Sequence, residues 1–182
     1  MKHLGTVTLE TDRLILRRFR FDDAMDMYRN WASDPEVTRF LTWPTYETPE
    51  TANGILKLWE SGYEKTDFYQ WAIELKEIGQ PIGSISVVRL NEQVTSAEIG
   101  YCIGQPWWRK GITSEALGRV IRFLFDEVGM NRIEAKHDVN NPGSGKVMQK
   151  CGMAFEGIHR QADWNNQGLC DVACYAILKS ER

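Results

Sequence analysis

The run Trp107-Trp108-Arg109-Lys110-Gly111-Ile112-Thr113-Ser114 carries the clearest chemistry in this sequence. A strand-like segment ends at Gly104, a glycine-containing turn follows, and an apolar-periodic helix opens at Thr113-Ser114. The start of a helix presents free backbone N–H groups at the positive end of the helix dipole, a natural seat for anions and above all for phosphates. Gly111 permits close backbone approach, and Arg109 and Lys110 add positive charge. Neither G-x-x-x-x-G-K-[ST] nor G-x-G-x-x-G occurs here. The same residues also read as an ordinary strand–helix connection with a solvated Arg-Lys pair. These residues alone leave open a phosphate-binding module of any kind.

A second helix mouth follows the next strand, at Asn140-Asn141-Pro142-Gly143-Ser144. If both mouths stand at the C-terminal ends of adjacent parallel strands, the crevice between them favours a ligand. Asn141 reads equally as a helix cap, with its amide NH₂ still free to meet a ligand. Between the two mouths lies the strand 96–104. Ala97, Ile99, Tyr101 and Ile103 share one face, and Glu98, Gly100, Cys102 and Gly104 share the other. Small residues on a strand face mark close approach by a ligand or another backbone.

The elements that position these groups are legible from periodicity. Residues 13–19 predict a strand, and helical stretches begin near Asp22, at Asp34-Pro35 and at Thr48-Pro49. Period-two alternation predicts strands over 69–76, 81–90 and 96–104, with a turn at Asn91-Glu92-Gln93. The best helix carries Ala116, Leu117, Val120, Ile121, Leu124 and Phe125 as its buried stripe and ends at Gly129. A strand at 132–139, a short helix from Pro142 to Cys151 and a final hairpin (153–163, 169–178) complete the chain. The tally is about seven strands and about four helices, an α/β (α+β) arrangement in one domain spanning 1–182.

Composition narrows the class. With 182 residues, 42% hydrophobic and 26% charged, the chain can bury a core without staples. It contains no apolar run of membrane-spanning length. A net charge of −3 argues against a nucleic-acid binder. No secretion signal is read at the N-terminus, so a cytoplasmic protein is expected. The four cysteines form no C-x-x-C pair and the three histidines are scattered, so no metal site is expected.

Taken together, Trp107 to Ala116 resembles the acyl-CoA pyrophosphate loop of the GNAT acetyltransferase superfamily, written (Q/R)-x-x-G-x-(G/A). The closer likeness is to the ribosomal-protein N-acetyltransferase (RimJ/RimL-like) branch, whose loop reads W-G-K-G-Y-A-T-E-A. Three further segments agree in order: Thr11-Asp12-Arg13-Leu14-Ile15-Leu16-Arg17, Asn141-x-x-Ser144 through Lys150-Cys151-Gly152-Met153, and Asp171-Val172-Ala173-Cys174-Tyr175. Arg109 stands where the branch often has Gly, and Thr113 where it has Gly or Ala, although Thr113 suits a helix cap.

The resemblance implies a mixed, mostly antiparallel sheet with a central splayed parallel pair. It implies acetyl transfer from acetyl-CoA to a primary amine. Cofactor contacts fall on Tyr101, Cys102, Ile103, Trp108, Arg109, Lys110, Gly111, Ile112, Thr113, Ser114, Asn141, Ser144 and Lys146. Glu98 is the base considered, against a reading as a surface carboxylate. Ser144 is the proton donor considered, against a first-turn hydroxyl, with Tyr175 as an alternative acid. Trp43 and Tyr46, flanking Pro44, are the residues expected to touch the acceptor. A homodimer or higher homo-oligomer is frequent in this branch.

Freeing an α-amine of pKa about 7.7–8.0 at pH 7 costs about 1–1.4 kcal/mol, against roughly 4.6 kcal/mol for lysine. This favours a protein N-terminus as acceptor. A small amine such as an antibiotic, polyamine or amino acid derivative is the alternative, and a CoA-binding sensor without catalysis is a third reading.

Overall fold

Residues 69–75 alternate large apolar side chains with small or polar ones, and that period fixes a strand with Tyr69, Trp71, Ile73 and Leu75 on one face. In the computed structural model, which describes residues 1–182, this segment lies inside a single eight-stranded sheet. The strands are β1 (Leu9–Glu10), β2 (Leu14–Arg17), β3 (Gln70–Leu75), β4 (Gln80–Asn91), β5 (Ser96–Ile103), β6 (Arg132–Asp138), β7 (Ala154–Asn165) and β8 (Gly168–Leu178). The helices are α1 (Ala24–Met27), α2 (Pro35–Thr38), α3 (Pro49–Gly62), α4 (Ile112–Phe123) and α5 (Pro142–Lys150). None is long and apolar enough to cross a membrane.

The sheet order is β1-β2-β3-β4-β5-β6-β8-β7, and only β5 and β6 are parallel. The eighth strand is β1, a two-residue segment pairing Leu9 with Leu16, too short to leave a periodic signal. Of the three cap-proline starts, only Asp34 caps with its side chain, accepting from the Glu36 N–H at 2.9 Å. Thr48 and Asn141 occupy the cap position without a side-chain hydrogen bond.

Helices cover both faces. On one side, α4 and α5 pack Ala116, Leu117, Val120, Phe123 and Met148 against Trp71, Ile73, Ile85 and Ile99. On the other, Trp31, Tyr46 and Leu56 close over Ala72. Ile73 is fully buried in the larger core. Ile73→Val should therefore cost about 0.5–1.5 kcal/mol, seen as a lower urea midpoint with unchanged m-value.

The site is set by how β5 and β6 part. They pair only from Ser96↔Arg132 to Glu98↔Glu134. Beyond that point β5 stays paired to β4 as far as Ile103, and β6 stays paired to β8 as far as Asp138. The two strands therefore splay, and their facing edges have no strand partner. Helices α4 and α5 begin at the open end of the wedge.

Candidate active site

The loop from β5 to α4 has two left-handed residues, Arg109 at φ 60° and Gly111 at φ 74°. Gly111 is the residue before the first turn of α4, so the cap expected at Thr113 lies two positions earlier. A glycine takes this conformation freely, whereas at Arg109 it is strained and must be held by surrounding contacts. The N–H groups of Gly111, Ile112, Thr113 and Ser114 find no acceptor within the chain. Unsatisfied donors at a helix start are what an anion requires.

These residues line a cavity of about 660 Å³ together with Tyr101, Cys102, Ile103, Trp108, Arg109, Asn141, Ser144 and Lys146. Lys110 alone among the expected cofactor contacts is absent from its lining, because the loop turns that side chain outward to solvent. A cation that residue spacing did not single out takes its place: Lys150, whose Nζ lies 3.4 Å from where a Cβ at Gly111 would stand. Arg109, Lys146 and Lys150 make no ion pair within the chain. Three unpaired cations and four free N–H groups fit the diphosphate of a CoA-type ligand.

A second cavity, of about 540 Å³, lies on the α1–α3 side of the sheet. The two cavities share Phe40, Leu41, Tyr101, Cys102, Asn141 and Ser144. The Tyr101 hydroxyl spans the wedge there, 3.0 Å from both the Ser144 carbonyl and the Ser144 Oγ. Burial pushes the phenol's pKa up against the opposing effect of Ser144, so Tyr101 keeps its proton. Cys102 is held as a thiol by burial and lies 3.4 Å from Ser84 Oγ.

Glu98 lines this second cavity at the last paired position of the wedge, with 13% of its side chain exposed. A bulge in β4 between Val87 and Arg89 brings Arg89 opposite it, with Nε 3.7 Å away. Lys136 reaches Glu98 at 3.4 Å and Asp163 at 3.0 Å. Burial opposes the charge on Lys136, but the two carboxylates outweigh it and raise its pKa. One signal of this network stands in the sequence: Glu134, Lys136 and Asp138 share a face of β6.

Trp43 and Tyr46 both line this second cavity, with ring centroids 5.2 Å apart. Burial, with Cys102 nearby, pushes the Tyr46 phenol up to about 12. The Asn166 side chain donates to the Thr38 and Trp43 carbonyls, both at 2.8 Å, which pins the β7–β8 turn onto this loop. The early helices and the last hairpin thus roof one chamber.

Two expectations change. Tyr175 lines neither cavity. It is 7% exposed in the larger core, near-parallel to His137, and its hydroxyl receives Gln149 Nε2 at 3.2 Å. Gly104 lines neither as well; it is small because the Asn30 carbonyl and the Trp107 ring press against it.

Residues 13–154 match the acetyltransferase (GNAT) domain family. The chain is 33% identical over 171 residues to the uncharacterized N-acetyltransferase YoaA of Bacillus subtilis (strain 168), covering 94% of this chain and 96% of that protein. It is 32% identical over 141 residues to the ribosomal-protein-serine acetyltransferase of Escherichia coli (strain K12), covering 75% of each. Its fold superimposes on microcin C7 self-immunity acetyltransferase MccE, solved with acetyl-CoA and AMP, with a TM-score of 0.83 at 20% identity over 92% of this chain and 93% of that one.

Proposed function

Because the chain belongs to the GNAT acetyltransferase family, we propose that it moves the acetyl group of acetyl-CoA onto the α-amine of a protein N-terminus. The observation that supports this reading most is the junction of the two cavities at Tyr101, Cys102 and Ser144, with Glu98 on the acceptor side. A donor entering from one face and an amine from the other would meet there.

Roles follow from position. The free N–H groups of 111–114 with Arg109, Lys146 and Lys150 hold the diphosphate. The unpaired edge of β5 from Tyr101 to Ile103 offers backbone groups to the pantetheine arm, which runs as an added strand would. Glu98 takes the amine proton, directly or through a water. Ser144 gives a proton to the departing sulfur, and Tyr101 holds Ser144. The modest cost of freeing an α-amine makes it the acceptor that a single carboxylate serves best.

A small primary amine is the second reading, and the Asn166 latch favours it, because it draws the β7–β8 turn onto the loop that lines this cavity. In either case acetyl-CoA at 100 times its Kd should stabilise the fold by about 2.7 kcal/mol, raising Tm by several degrees. The deciding assay follows thiol release from acetyl-CoA over peptides with free N-termini and over small amines. Release with peptides supports the first reading, and release confined to small amines supports the second. No thermal shift at millimolar acetyl-CoA would remove the diphosphate assignment.

A further inference from the structure

The segment Thr11-Asp12-Arg13 precedes β2 and lies on neither cavity, yet it is tied to the loop that lines one of them. The Arg13 Nη1 donates to the Lys110 carbonyl at 3.0 Å. Its Nε and Nη2 reach Glu115 Oε2 at 2.7 and 2.6 Å. The Arg13 backbone N–H also donates to Glu115, at 3.1 Å, and the Thr11 hydroxyl donates to the same carboxylate at 2.5 Å. Thr11 Oγ1 in turn accepts the Leu14 N–H at 3.0 Å, which ties the arrangement to the start of β2.

Lys110 stands between the two left-handed residues of the loop. The peptide that joins Lys110 to Gly111 is planar and trans, so its C=O and N–H point in opposite directions. Arg13 takes the C=O, with its Nη2 3.8 Å from where a Cβ at Gly111 would stand. The Gly111 N–H of the same peptide is thereby held pointing opposite to that carbonyl, without an acceptor in the chain, at a residue that lines the cavity. Glu115 sits in the first turn of α4, so the same guanidinium fixes both the turn and the helix that supplies the remaining free N–H groups.

We infer that Arg13 is a positioning residue for the diphosphate loop: paired with Glu115, it holds the Lys110–Gly111 peptide in the orientation that binds an anion, without touching the ligand itself. Only a planar fork can meet Glu115 and the Lys110 carbonyl together, and a lysine offers a single point charge. Burial works against ionisation of Glu115, but the hydrogen bonds from Thr11 and Arg13 outweigh it and hold the carboxyl below its usual range. The clamp is therefore intact at neutral pH.

This inference rests on the assignment of the loop to the diphosphate of CoA, and its test separates the two. The Kd of CoA is measured by titration calorimetry, and that of pantetheine, which lacks the nucleotide diphosphate, by ligand-observed NMR. Wild type is compared with Arg13→Gln, Arg13→Lys and Glu115→Gln, and the ligand-free Tm is recorded for each. All three variants should bind CoA about tenfold more weakly and pantetheine within twofold of wild type, and Arg13→Lys should not rescue. Unchanged CoA affinity in the variants overturns the clamp and leaves the loop assignment standing. A parallel loss for CoA and pantetheine also overturns it, because the effect is then general damage. Wild-type protein that does not bind CoA overturns the loop assignment and the clamp with it.

Discussion

Glu98→Gln is expected to lower kcat by about 10²–10³-fold, with the Kd of acetyl-CoA within about twofold of wild type. The amide keeps the size of the carboxylate but cannot accept a proton. Glu98 lines only the second cavity and not the one assigned to the diphosphate, so donor binding should not register the change. The deficit should also depend on pH. Without a base, turnover follows the fraction of acceptor already neutral, which rises through an α-amine pKa of about 7.7–8.0. The variant should therefore be worst below pH 7 and recover toward wild type near pH 9. A uniform deficit across that range would mean that Glu98 holds Lys136 and Arg89 in place rather than moving a proton. An unaltered kcat would assign the proton to another group.

Ser144→Ala should lower kcat by about 10²-fold, and the fate of Tyr101 in that background is the informative part. One phenolic proton faces two acceptors on the same residue, the Ser144 carbonyl and Oγ, both at 3.0 Å. When Tyr101 donates to Oγ, the serine proton is free to point at the departing sulfur. Tyr101→Phe should thus cost about tenfold in kcat in the wild type and almost nothing when added to Ser144→Ala. Residues acting as one unit show that non-additivity. Multiplying losses would indicate that Tyr101 supports the wedge generally and not the serine.

Much of the sheet was legible because its strands are long enough to alternate. The two faces of β5 are legible in the alternation of 96–104, with Ala97, Ile99 and Ile103 in the core and Glu98, Gly100 and Cys102 on the opposite face, lining the second cavity. Other features come from contacts remote in sequence. The outward turn of Lys110 depends on the left-handed Arg109 and on Arg13, 97 residues earlier. Neighbours in sequence thus diverge in space: Arg109 enters the cavity and Lys110 leaves it. Lys150 arrives through the packing of α5 beside α4, which periodicity within α5 cannot express. The network around Glu98 draws Arg89, Lys136 and Asp163 from three other strands, the last placed after an irregular stretch of β7 pairing. Tyr175, an alternative acid by its place in the last strand, follows the commoner pattern of an aromatic residue there and faces the core.

One peptide can test the identity of the acceptor. The peptide begins with a free serine or alanine and carries a lysine further along. It is incubated with enzyme and acetyl-CoA, and fragment mass spectrometry locates the added acetyl group. Acetyl is expected on the α-amine and none on the lysine. Acetyl on the lysine, or an unmodified peptide beside a small amine that is acetylated under the same conditions, would contradict it.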